Sequence, residues 1–192
     1  LIGLTSGGFL GLIAIGYTLV YGTVGLIHFA HGDVVMLGGC LAVTLFSLAG
    51  PLPLDPPANW LLVLAVAVCC GLFCGRLNVG IDRLVYRPLR QASPLAPLVL
   101  LRSGFGRSLR SVAAVARAAS RTGGPERFIA ATFFLGGALG GVASVAAGIH
   151  NTTVNYQFGY QTGLYALAAA VLGGIGSVPG AIIGGLVVGL VR

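Results

Sequence analysis

Five apolar stretches dominate the chain: Leu1–Tyr21, Val34–Ala49, Trp60–Gly75, Phe128–Ile149 and Leu164–Val191. Each is continuous, without the strict alternation over about ten residues that marks a membrane β-strand. Their lengths cluster around the roughly 20 residues that a helix needs to cross a bilayer. A helix also satisfies its own backbone groups in hydrocarbon, where no water can do so. The pattern predicts an all-α protein, a polytopic transmembrane helical bundle of about five spans. Polar segments separate them: GTVGLIHFAHGD (Gly22–Asp33), the four-proline run GPLPLDPPAN (Gly50–Asn59), an arginine-rich stretch from Arg76 to Arg127, and HNTTVNYQFGYQTG (His150–Gly163). Proline cannot sustain a helix interior, so Gly50–Asn59 is a loop. The first stretch lacks a basic leader and a clear cleavage site and is expected to be a span rather than a signal peptide.

Composition strengthens the membrane assignment. Hydrophobic residues make up 56% of the 192 residues and charged ones 8%. A soluble domain carries about 25% charged residues to keep its surface wet. No long polar segment divides the apolar blocks, so residues 1–192 are read as one membrane domain with 76–127 as a cytoplasmic segment. The charge is sharply placed: lysine is absent, and ten of the 11 arginines lie between Arg76 and Arg127. A basic loop between apolar spans follows the positive-inside rule, and this argues against nucleic acid as a partner. With that loop cytoplasmic, His150–Gly163 is expected outside, and one final crossing returns Arg192 to the cytoplasm. The cysteines Cys40, Cys69, Cys70 and Cys74 lack zinc-type spacing with histidine and read as small packing residues.

Within the basic stretch, Arg107, Arg110, Arg117 and Arg121 fall in one stripe about 80° wide on a helix, opposite Leu109, Val112, Val115 and Ala116. Such a face suits anionic lipid headgroups or a cytoplasmic protein equally. Glycine, at 32 residues, recurs at four-residue intervals: Gly3, Gly7 and Gly11; Gly136 and Gly140; Gly137 and Gly141; Gly176, Gly180 and Gly184; Gly185 and Gly189. Small residues at that spacing let helix backbones approach closely in lipid, so a tightly packed bundle or dimer is expected.

No catalytic constellation is legible. The acids are Asp33, Asp55, Asp82 and Glu126, none paired in sequence, and without lysine the chain cannot form a GxxxxGK[ST] phosphate loop. No cofactor or metal is expected. Two features are compatible with a path through the membrane, and equally with helix packing or, for the histidines, with a place at the membrane interface. His28 and His31, three apart beside Asp33, would share a helix face, and ionisable groups at membrane depth usually face a bundle interior or water. Gly173, Gly174, Gly176 and Pro179 should break the last apolar stretch. Irregular backbone at depth either is buried by neighbouring helices or lines a cavity.

Four stretches, covering nearly half the residues, resemble the branched-chain amino acid ABC transporter permease family: GYTLVYGTVGLIHFAHGDVVMLGG (Gly16–Gly39), DRLVYRPLRQASPLAPLV (Asp82–Val99), ERFIAATFFLGGALGGVAS (Glu126–Ser144) and LAAAVLGGIGSVPGAIIGGLVVG (Leu167–Gly189). The resemblance implies a non-enzymatic subunit of a bacterial inner-membrane importer for leucine, isoleucine and valine. It implies ATP-binding subunits, a second permease subunit and a periplasmic substrate-binding protein as partners. It also implies that Gly106–Gly124, with Arg107, Arg110 and Arg117, is the helix that couples to the ATPase. A urea or short-amide importer, and a truncated non-transporting protein, are the alternatives. After Val99 this chain passes directly to LLRSGFGRSLR, so a central segment that the family carries is missing.

Overall fold

The computed structural model describes residues 2–25, 27–49, 56–87, 125–151 and 156–191. They form six α-helices: α1 (Ile2–Val24), α2 (His31–Ala49), α3 (Pro56–Ile81), α4 (Pro125–Asn151), α5 (Tyr156–Leu172) and α6 (Val178–Val191). A π-helical turn, Asp82–Tyr86, extends α3. The helical bundle is the one expected, and no strand occurs among the described residues. Helices over Ile2–Val24, His31–Ala49, Asn59–Tyr86 and Glu126–Asn151 are long and apolar enough to cross a membrane. At 1.5 Å per residue, the 23 residues of α1 span about 34 Å.

Helix α1 is the hub, packed chiefly against α6, α4 and α5. Its Phe9, Leu10, Ile13, Ala14 and Tyr17 join Val35 of α2, Ala143 and Ala147 of α4, Ala166 and Ala169 of α5, and Ala181 of α6 in the main core. The spaced glycines make these contacts short. A Cβ added at Gly7 would lie 2.8 Å from the Cα of Leu186, and one at Gly3 would lie 3.0 Å from the carbonyl of Gly189, so α1 and α6 run antiparallel. In α4 the two glycine pairs serve different neighbours. Gly136 and Gly140 face Gly16 and Val35, whereas a Cβ at Gly137 would meet the Cys74 carbonyl at 2.6 Å and one at Gly141 the Cys70 carbonyl at 2.5 Å. The four-residue glycine repeats therefore pack helices within this chain.

The final apolar stretch is not a single crossing. Gly174 (φ 87°) and Gly176 (φ 100°) adopt left-handed backbone that L side chains rarely tolerate. The Gly174 amide donates to the Val171 carbonyl (3.1 Å) and the Ser177 amide to the Gly174 carbonyl (3.0 Å), and the chain reverses there. The Ser177 hydroxyl then caps α6 by accepting from the Gly180 amide at 3.2 Å. Pro179 sits in the first turn of α6, where its missing N–H leaves no helical bond unmade, so it begins a helix rather than breaking one. Gly184 lies against Ala169 and Gly180 against Gly173, which makes α5 and α6 an antiparallel hairpin.

The hairpin overturns the expected return of the C-terminal end to the arginine side. Gly189 lies beside Gly3 at the start of α1. The other end of α1, Val20 and Val24, clusters with Phe133, Val79, Tyr86 and Ile129, where α3 ends and α4 begins. The end of α6 is thus at the opposite end of the bundle from Arg87 and Glu126. The polar segment His150–Gly163 is helical over 156–163, with Thr162 buried and Gly159 and Gly163 pressed against Gly32.

Candidate functional site

Left-handed backbone also marks the start of the turn between α1 and α2. Gly25 (φ 68°) ends α1, with its amide donating to the Tyr21 carbonyl at 2.7 Å. The His31 amide donates to the His28 carbonyl (3.0 Å), and α2 starts at His31, three residues earlier than the hydropathy pattern suggests. The His31 ring lies against Gly16, where an added Cβ would come within 2.5 Å of Nε2. Gly16 is eight residues before Val24, about 12 Å back along α1. The chain therefore folds back into the bundle, and α2 begins inside it. His28 and His31 do not share a helix face: one precedes the helix and the other opens it.

Both histidines are buried, at 1% and 0% exposure. Their ring centroids are 6.1 Å apart. His28 is held on both sides, by Asn78 Oδ1 at 2.8 Å from Nε2 and by the Tyr86 hydroxyl at 2.9 Å from Nδ1. Asn78 Nδ2 donates to the Phe133 carbonyl at 2.9 Å, which leaves Oδ1 as the acceptor. A neutral His28 then carries its proton on Nε2 and accepts from Tyr86 at Nδ1. Tyr86 reaches the ring because the π turn, with the Arg87 amide donating to the Asp82 carbonyl, rephases the end of α3. Asp82, in the same turn, is buried. This knot ties α3, α4 and the α1–α2 turn together.

His31 is held by shape. Tyr17 meets its ring edge-on at 4.8 Å, and Gly16 and Gly140 leave room for it. Neither ring nitrogen meets the geometry of a hydrogen bond, the Ile13 carbonyl of α1 facing the ring.

Gly173, Gly174, Gly176 and Pro179 lie at the α5–α6 turn, away from the histidine rings but joined to the α1–α2 turn. Ile27 from one turn and Ile175 from the other line a single cleft, together with Tyr17 and Tyr21 of α1 and Leu167 and Ala170 of α5. Arg107, Arg110, Arg117 and Arg121 lie outside the described residues. The sequence reading missed Asn78, Tyr86 and Tyr17. Asn78 lies beyond the apolar stretch that ends at Gly75, and only the continuation of the helix to Tyr86 brings its amide into the bundle. Nothing linear pairs Tyr86 with a residue 58 positions away.

The model of the family described as "Branched-chain amino acid transport system / permease component" matches residues 1–88 and 92–192. The chain is similar to the high-affinity branched-chain amino acid transport system permease protein BraD of Pseudomonas aeruginosa, with 31% identity over 254 residues covering 98% of this chain and 82% of the relative. The corresponding LivH proteins of Escherichia coli and Salmonella typhimurium are each 30% identical with the same coverage. At least 62 positions of that alignment, 254 less the chain's 192, have no counterpart here, in keeping with the missing central segment. No solved structure matches the chain. A multi-pass helical bundle with its chain matched almost throughout is a member of the branched-chain amino acid transport system permease family.

Proposed function

We propose that this chain is the translocating membrane subunit of an ABC importer for leucine, isoleucine and valine in the bacterial inner membrane. The observation that carries the reading is 30% to 31% identity, over 98% of the chain, to permeases named for that transport. ATP hydrolysis would belong to separate subunits, because a lysine-free chain cannot supply the phosphate-loop lysine. A second permease subunit and a periplasmic substrate-binding protein complete the assembly. The permeant passes near the two irregular turns, with His28 and His31 at one and Gly173, Gly174, Gly176 and Pro179 at the other. Broken helices at such turns expose backbone dipoles that a zwitterion can use. Arg107, Arg110 and Arg117 form the face that docks the ATPase.

The test is reconstitution of the chain with its partner subunits in proteoliposomes and measurement of ATP-dependent leucine uptake, with urea as the competing permeant. Leucine uptake lost in Arg107→Glu/Arg110→Glu supports both the function and the docking face. Urea uptake without leucine uptake overturns the substrate. The residues absent relative to BraD and LivH favour one second reading, a truncated subunit that assembles without transporting. Co-purification of the ATPase with no uptake of either solute would select it.

A further inference from the structure

Two opposite charges lie side by side at depth in the bundle without pairing: Asp33 of α2 and Arg76 of α3. The Cys74 thiol donates to the Val34 carbonyl at 3.4 Å, and these residues are two positions from Arg76 and one from Asp33. The charges are therefore level to within about one helical turn. Their depth follows from α4. A Cβ at Gly137 would meet the Cys74 carbonyl at 2.6 Å and the Asn78 Cβ at 2.8 Å, so Arg76 is level with Gly137. Gly137 is nine residues, about 13 Å, beyond Phe128, where the apolar stretch of α4 begins. Both side chains are exposed, and the ion pair found among the described residues is Arg87–Glu126 instead. Charges at such depth turn to each other, to a bundle interior or to water.

The surroundings favour water. In α2 the exposed residues Asp33, Cys40, Thr44 and Ser47 fall in one stripe about 60° wide. On α3 the exposed Leu61, Leu64, Val68 and Leu72 suit lipid. Thr44 satisfies its hydroxyl on the Cys40 carbonyl at 2.9 Å, as it could in hydrocarbon, but a carboxylate has no such recourse. The neighbouring side chains complete the pattern. A Cβ at Gly38 would meet the Cys74 thiol, and Ala42 clusters with Val66 and Cys70, so α2 and α3 run antiparallel. Leu37, four residues after Asp33, and Phe73, three before Arg76, therefore lie one turn further in the same direction, and both are exposed.

Resting on the importer reading above, we propose that Asp33 and Arg76 bind the permeant amino acid as a zwitterion, Asp33 taking its ammonium group and Arg76 its carboxylate. Leu37 and Phe73 receive the branched side chain. A guanidinium is suited to the carboxylate because its planar fork matches two oxygens.

The experiment uses the full chain assembled with its partners in proteoliposomes, with Cys40, Cys69, Cys70 and Cys74 replaced by alanine. A water-soluble methanethiosulfonate should label Leu37→Cys and leave Leu64→Cys, on the apolar face of α3, unlabelled. L-leucine should slow labelling of position 37. The same slowing should take at least about ten times more 4-methylpentanoate, which lacks the ammonium group, or 3-methylbutylamine, which lacks the carboxylate. Asp33→Asn should erase the preference for leucine over 4-methylpentanoate and keep that over 3-methylbutylamine. Arg76→Gln should do the reverse. A purely structural role would weaken all three ligands alike, and that result overturns the proposal. An unlabelled position 37, or labelling that leucine leaves unaltered, also overturns it. If one variant fails to assemble, the other still gives its half of the crossed pattern. ATP-driven leucine uptake is measured in parallel: uptake without the crossed pattern removes this site and leaves the importer reading intact, whereas the crossed pattern without uptake does the opposite.

Discussion

His28 illustrates how a single polar side chain organises a membrane bundle. Its two ring nitrogens engage an amide from the body of α3 and a phenol from the π turn at its end. His28→Leu would leave the buried Asn78 Oδ1 and the half-buried Tyr86 hydroxyl without this partner. Each orphaned group costs about 1–3 kcal/mol, so we predict a loss of at least about 2 kcal/mol. Thermal unfolding in mild detergent, followed by reaction of the buried Cys70 and Cys74 with a thiol dye, measures it; an unchanged midpoint would remove the knot from the account. The Arg87–Glu126 pair gives a contrast. It is short, at 2.6 Å, but its side chains are about half exposed. Glu126→Gln should cost less than about 1 kcal/mol in the same assay. The sequence marked His28 and His31 as functional candidates, but their separate settings depend on where α2 starts, at His31.

At the scale of elements, the glycine repeats were legible and their destinations were not. Lipid supplies little drive for helices to associate, so close backbone packing must hold them together. Gly141→Leu forces a side chain into the Cys70 carbonyl, and we predict a loss of about 1–3 kcal/mol or more from overpacking. Gly8→Ala, on an exposed position of α1 with no neighbour within 4 Å, should instead be neutral or gain up to about 1 kcal/mol through helix propensity. A Gly8→Ala variant as damaging as Gly141→Leu would mean that α1 packs differently. The α5–α6 turn was misread for a physical reason: an apolar run with a central glycine-rich break looks the same whether the chain kinks and continues or reverses. The reversal depends on dihedrals at Gly174 and Gly176, and on the Ser177 cap, that hydropathy does not encode.

The hairpin has a consequence for the whole molecule. With α6 antiparallel to α1, a reporter fused after Val191 should lie on the opposite side of the membrane from one inserted after Arg87. Paired alkaline phosphatase and fluorescent-protein fusions at the two points measure this. The same-side result expected from a single final crossing would refute the hairpin. The residues lacking relative to the BraD and LivH proteins bear on activity at this scale, because a bundle can keep its helix contacts while its pore wall lacks some of its lining.

Sequence alone determined that the chain is a helical membrane protein, which of its stretches are apolar enough to cross, and where its small residues recur. These properties are local: hydrocarbon thickness sets span length, backbone satisfaction demands helices, and glycine spacing follows the helical repeat. The tertiary structure decided which glycine faces which helix, that α2 begins inside the bundle, that the last stretch turns back, and that Ile27 and Ile175 line one cleft. Those outcomes depend on a few left-handed backbone positions and on contacts between residues far apart in the chain, and no window of linear sequence contains both partners.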